Sequence, residues 1–133
     1  MRKEQVFLAI VLVGTVVFMQ GCVAVAVGVG AAGTVAYIRG DLEAVESENI
    51  EAVYEATQNA LEELQLKVTK KAKDAMTATI IVRDAEDKKI TIKLNATAEN
   101  TTKLSIRVGM FGDERKSRMI YQKIRDNLKQ NTK

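Results

Sequence analysis

Between residues 77 and 108 apolar and polar side chains alternate along the chain. Ala78, Ile80 and Val82 alternate with Thr77, Thr79, Ile81 and Arg83; Ile90, Ile92 and Leu94 alternate with Thr91 and Lys93; Leu104, Ile106 and Val108 alternate with Ser105 and Arg107. A period of two sends one side of each strand into a core and leaves the other wet. Leu66 and Val68 open a further short strand just before this region. The connections DAEDK (84–88) and TAENT (97–101) are short and polar, which predicts an antiparallel meander of hairpin neighbours.

Helical spacing flanks the meander. Ile50, Val53, Tyr54, Thr57, Leu61 and Leu64 recur every three or four residues, so one buried stripe is predicted for a helix over 48–65, with Ser47 as N-cap and Glu48 and Glu51 at the positive end of its dipole. A second helix is predicted after Asp113, its N-cap, as far as about residue 129. Its inward stripe is Ser117, Ile120, Tyr121, Ile124 and Leu128, with Arg115, Lys116, Lys123 and Lys129 solvated. Ahead of the first helix, VAYIRGDLEAV (35–45) reads as one strand with a bulge or close-packing point at Gly40. The predicted fold is therefore α+β: a two-layer domain with a mainly antiparallel sheet of about five strands, in the order β-α-β-β-β-β-α, and both helices packed on one face.

The N-terminus follows another pattern. Arg2 and Lys3 precede a stretch from residue 5 to residue 38 without one charged side chain. Those 34 residues would extend roughly 51 Å as a helix, far more than a bilayer core of about 30 Å requires. The stretch divides where small Gly21 precedes Cys22, the chain's single cysteine, after an apolar run from Val6 to Phe18. A basic start, an apolar run and a small residue before the cut describe a secretory signal, and FMQGC resembles the lipobox of bacterial lipoproteins. The resemblance implies cleavage between Gly21 and Cys22 and lipidation of Cys22, with two or three acyl chains making a stable membrane anchor. Val23 rather than Asp after the cysteine implies the outer membrane, with the domain in the periplasm; the inner membrane is the alternative. The organisation expected is a signal peptide (1–21), a lipidated Gly/Ala/Val-rich tether (22–38) and an envelope domain (39–131). The competing reading is an uncleaved single-span anchor with an incidental cysteine.

Charge and composition narrow the chemistry. The chain has no His and one Cys, so it lacks the ligands of a Cys/His zinc site, the parts of a His-dependent catalytic group and the partner for an internal disulfide. A net charge of +3, from 20 bases against 17 acids, is too balanced to indicate nucleic acid as a partner. It is unevenly spread, however. Residues 41–63 hold eight acids and no base, and residues 67–133 hold 17 bases against eight acids. Either the two parts fold against each other and attract, or they form opposed faces that choose partners.

GVGAAG, with Gly28, Gly30 and Gly33, matches the dinucleotide fingerprint in letters but not in context. No β-α-β unit surrounds it, and Glu51, at the distance of the ribose-binding acid, falls in a predicted helix. The small residues Ala26, Gly30 and Thr34 suit a tether or a close packing of backbones. Asp84, Glu86 and Asp87 could in principle support carboxylate-only catalysis, but they sit in a polar hairpin and read as a turn. No catalytic residue, metal ligand or cofactor is expected, and no nucleotide.

Three segments, GCVAVAVGVGAAGTVAYIRGDLEA, ALEEL and SIRVGMFGDERKSRMIYQKIRDNL, make the chain similar to a family of small uncharacterised lipoproteins of Gram-negative bacteria that share a domain of unknown function. AYIRG and RVGMFGD are its more specific parts. In this architecture the chain also resembles a virulence-associated Francisella lipoprotein. The resemblance implies an envelope location and an α+β domain, and no enzyme activity. The function expected is a non-enzymatic binding or structural module whose partner is an envelope protein, a lipid or another apolar ligand. A carboxylate-dependent periplasmic enzyme is the alternative.

Overall fold

The structure, a computed structural model, describes residues 34–133 together with Arg2, Lys3 and Gln5. Gly21 and Cys22, with the predicted signal cleavage and lipidation, lie outside the described residues, as do Gly28, Gly30 and Gly33. The unit from Gly33 to Lys133 contains β1 (Val35–Ile38), β2 (Asp41–Glu46), α1 (Ile50–Glu63), β3 (Lys67–Lys73), β4 (Thr77–Arg83), β5 (Lys89–Ala98), β6 (Thr101–Val108) and α2 (Glu114–Asn131). All strand pairings are antiparallel, in one sheet ordered β1-β2-β6-β5-β4-β3. Both helices cover the same face, α2 over β6 and β2, α1 over β5, β6 and β3. The α+β class holds, and the meander from β3 to β6 is the one its alternation predicts.

The segment 35–45 departs from the expectation of one strand, so the sheet has six strands rather than five. Arg39 (φ 52°) and Gly40 (φ 89°) both adopt left-handed backbone between paired Ile38 and Asp41. Two such residues make the tight turn whose twist matches a hairpin. The pattern carries a trace of this. Val35 and Tyr37 share the covered face with Leu42 and Ala44, so the inward parity changes across Arg39–Gly40. A bulge at Gly40 would change parity in the same way, and the alternation alone does not separate the two.

α1 is shorter than the predicted 48–65. Its N-cap is Asn49 rather than Ser47, the Asn49 Oδ1 accepting from the Ala52 N–H at 2.9 Å. Asparagine is as good a cap as serine and stands directly before the first inward residue, Ile50. At the other end Gln65 turns left-handed (φ 54°) while the Leu66 N–H donates to the Leu61 carbonyl and the Gln65 N–H to that of Glu62. This pair of bonds closes the helix as a Schellman motif. α2 starts at the predicted cap, the Asp113 side chain accepting from the Lys116 N–H at 3.0 Å, and buries every member of its predicted stripe.

Leu42, Ile80, Val82, Ile90, Ile92, Leu94, Leu104 and Ile106 are fully buried from the sheet side against Val53, Leu61, Ile120 and Ile124. Each such side chain contributes about 1.5–3 kcal/mol by leaving water. In α1 the centre of the packed stripe is taken by Ala56 and Ala60, whereas Tyr54 and Leu64, expected there, are only half-buried at its border. Few polar groups enter this layer. The Tyr121 hydroxyl donates to the buried Glu46 carboxylate, and burial with that neighbouring charge pushes the phenol's pKa up. Thr102 Oγ1 donates to the Glu48 carbonyl at 2.9 Å. Ser117 Oγ is buried with no partner.

Candidate functional site

Among the described residues no helix lies on the opposite face of the sheet. Cross-strand partners share a face, so the register defines it row by row. Ile38, Asp41, Arg107, Thr91, Ile81 and Lys70 form one row, and Ala36, Glu43, Ser105, Lys93, Thr79 and Ala72 the next. The cations are Lys67 and Lys70 on β3, Arg83 on β4, Lys89 and Lys93 on β5, and Lys103 and Arg107 on β6. The acids are Asp41 and Glu43, both on β2. Both acids are spent: Asp41 takes two bonds from Arg107 (2.8 and 2.7 Å), and Glu43 pairs with Lys103 at 3.1 Å. Arg107 holds the Asp41 carboxyl below the usual carboxylate range, against a smaller opposing effect of burial. Among the described residues Lys67, Lys70, Lys89 and Lys93 have no ion-pair partner. A shallow depression of about 470 Å³, lined by Thr79, Thr91, Ser105, Lys89, Lys93 and Arg107 among others, occupies the middle of this face.

The first reading of the charge pattern, attraction between the two parts of the chain, is seen in the ion pairs. Asp41, Glu43, Glu51 and Glu63, four of the eight acids in 41–63, pair with Arg107, Lys103, Lys73 and Lys123 from the later part of the chain. Of the described bases left without an acid, Arg115, Arg125 and Lys129 lie on α2, while Lys67, Lys70, Lys89 and Lys93 lie on the open face.

At one end of that face AYIRG and RVGMFGD, the two more specific parts of the family resemblance, meet. Gly40 of the β1–β2 turn lies against the loop from Gly109 to Gly112 so closely that a Cβ on Gly40 would stand 2.6 Å from the Phe111 carbonyl oxygen, and one on Gly112 would stand 2.4 Å from the Gly40 carbonyl oxygen. Only glycine fits this backbone approach, and both residues have left-handed φ. Arg107 ties the arrangement together, donating to the carbonyls of Met110 (3.1 Å) and Arg39 (3.0 Å) while it holds Asp41. The Gly109 N–H donates to the Lys89 carbonyl at 2.8 Å. On this braced loop Met110 is 81% and Phe111 89% exposed, and Ile38 on the adjoining strand is 50% exposed. A second depression, lined by Lys88, Lys89, Thr91, Arg107, Gly109 and Met110, joins the tip to the basic face.

Asp84, Glu86 and Asp87 make the expected turn. Asp84 Oδ1 accepts from the N–H groups of Glu86 and Lys88 (3.0 and 2.7 Å), and its other oxygen takes Lys116 at 2.5 Å, leaving the side chain 3% exposed. Lys116 and those turn amides hold its carboxyl low. Asp87 has φ 62° and pairs with Arg83, and Glu86 reaches only Lys116 at 3.5 Å. The structure thus brings the three acids together as a turn around two cations. Among the described residues no cluster of three or more Cys, Asp or Glu side chains is arranged to hold a metal ion, and no helix is long and apolar enough to cross a membrane.

A protein-family model matches residues 5–127. The chain belongs to DUF3568, described as a protein of unknown function. No curated protein matches it. The DUF3568 match takes in the uncharged segment with Cys22 as well as the folded domain, and both AYIRG and RVGMFGD fall inside it. The tip was missed in the sequence because its brace joins residues 66 or more positions apart, as Asp41 and Arg107 are, whereas the outward positions of the basic face were legible strand by strand but not as one surface.

Proposed function

We propose that this DUF3568 protein is a lipid-anchored module of the bacterial envelope that acts by binding, without catalysis, through the open face of its sheet. Cys22 bears the lipid after cleavage at Gly21, the anchor lies in the outer membrane and the domain works in the periplasm. The observation that carries the reading is the face that no described element covers: among the described residues four lysines there have no ion-pair partner, two of them, Lys89 and Lys93, line a depression with Thr79 and Thr91, and the face is continuous with an exposed apolar tip. A solvated sheet face that carries more cations than acids attracts a partner of opposite charge. An anchor supports such a module by raising the local concentration of a weak binder. The carboxylate-enzyme alternative draws no comparable support, because Asp84 is committed to turn amides and Lys116 and Glu46 to Tyr121 within the core.

The test is a photo-reactive residue at Thr91, in the middle of the open face, introduced in cells with and without Cys22→Ala. With Cys22 present, the purified protein is expected to begin at an acylated Cys22 by intact mass and to give discrete crosslinks to envelope components. Cys22→Ala is expected to remain full length and lose both acyl mass and crosslinks. A wild-type chain of full-length, unacylated mass would refute the anchor, and crosslinks indifferent to Cys22→Ala would refute its role in binding.

A further inference from the structure

The exposed tip itself has a ligand chemistry. We propose that Met110 and Phe111, with Ile38 beside them, dip into the interfacial layer of an anionic bilayer while Arg39, Lys88 and Lys89 take its phosphates. The inference rests on the anchored reading above and goes beyond it by naming the surface that the tip meets. Three observations carry it. The tip is exposed and braced through its backbone: Gly40 packed on Gly112, Arg107 on the Met110 carbonyl and Gly109 on Lys89 fix the loop with its two largest apolar side chains outward. Large exposed apolar side chains on a braced loop mark an interaction site rather than a frayed end.

The surrounding charge is the second. The Lys88 side chain lies against Gly109, Lys89 lines one depression with Met110, and Arg39 occupies the turn that packs on Phe111. The acids at this end are already engaged. Asp41 is bound to Arg107, Asp84 and Glu86 to Lys116, Asp87 to Arg83 and Glu114 to Arg118, and Asp113 caps α2. An apolar point ringed by free cations is complementary to an interface of acyl chains under anionic headgroups.

The third is reach. Residues 23–33 carry no charge, and the chain from Cys22 to Thr34 spans at most roughly 40 Å. β1 then runs in four residues from Val35 to the tip turn. The bilayer that holds the lipid is thereby within range of the loop.

The chain contains no Trp, so Phe111→Trp supplies a single reporter at the tip and Glu99→Trp one at the β5–β6 turn, the other end of the sheet. Each full chain is reconstituted in vesicles of phosphatidylcholine with or without phosphatidylglycerol, carrying brominated acyl chains. In phosphatidylglycerol vesicles the Phe111→Trp emission is expected to shift to the blue and be quenched by bromine, while Glu99→Trp stays water-like. Adding Lys88→Glu and Lys89→Glu should return the quenching to the phosphatidylcholine level. A floated chain whose tip emission stays water-like overturns the proposal and points to a protein pocket for Phe111. Equal quenching at both positions overturns it as non-specific adsorption. A chain that does not float with either vesicle overturns the anchored reading and this inference together.

Discussion

Thr91 and Ile92 are neighbours in β5, and Ile106 and Arg107 in β6, yet each pair is divided between two environments. Ile92 and Ile106 are fully buried beneath the helices, whereas Thr91 and Arg107 stand on the uncovered side among lysines. One sheet therefore separates two tasks by parity alone: the covered face supplies the apolar burial that holds the fold, and the bare face is free to carry charge. Sequence changes on the first act on stability, and those on the second leave the core untouched, which is what the proposed binding role requires.

The comparison breaks most visibly with an aspartate on each face. Ile106→Asp places an unpaired carboxylate in the centre of the core and is expected to cost about 4 kcal/mol or more, which for a marginally stable domain amounts to unfolding. Thr91→Asp, among Lys89, Lys93 and Arg107, is expected to cost about 1 kcal/mol or less. Equal midpoints in urea for the two would refute the assigned faces.

Gly112→Ala probes the brace between the β1–β2 turn and the loop before α2. The added methyl meets Gly40 backbone and the Tyr37 hydroxyl at about 2.5 Å in a left-handed conformation, so a loss of about 2 kcal/mol is expected. The Gly112→Ala protein should also show faster amide exchange at Gly109, whose N–H bonds Lys89. An unchanged melting curve would mean that the tip is not held this way.

A smaller effect comes from pH. Asp41 and Asp84, held by Arg107 and Lys116, and Asp74, which accepts from the Met76 N–H and from the hydroxyl and N–H of Thr77, lie below their ordinary value of 3.8, so the unfolded chain binds more protons than the folded one in that range. Stability is fully present above the ordinary carboxylate range and declines as pH falls through it toward the lowered values. Asp84→Asn, which leaves Lys116 only the longer pair with Glu86, is expected to flatten that decline; an acid limb identical to wild type would show that Asp84 adds nothing to it.

The fold was legible wherever neighbours in sequence decide it. Alternation marked β4, β5 and β6, and Asp113 with its stripe of Ser117, Ile120, Tyr121, Ile124 and Leu128 marked α2. The hairpin at Arg39–Gly40 was hidden because a bulge produces the same parity change, and the cap at Asn49 because Ser47 is an equally competent residue nearby. The candidate site was legible only as fragments. AYIRG and RVGMFGD stood out as segments, but the contact of Gly40 with Gly112, and the exposure of Phe111 that follows, arise only when β2 pairs with β6. Phe111 looks like a core residue by type, and only the three-dimensional packing of its loop shows it outside, whereas the alternation already placed Ile81 on the wet side.

The central claim is that fold and interaction lie on opposite faces of one sheet, and Lys89→Glu with Lys93→Glu tests it most directly. The double variant, carrying the photo-reactive residue at Thr91, is compared with wild type for melting temperature and for crosslink yield in cells. The account expects melting within about 4 °C of wild type, corresponding to less than about 1 kcal/mol, together with loss of the Thr91 crosslinks. A variant that melts normally and keeps its crosslinks, or one that loses them only because it unfolds, would contradict it.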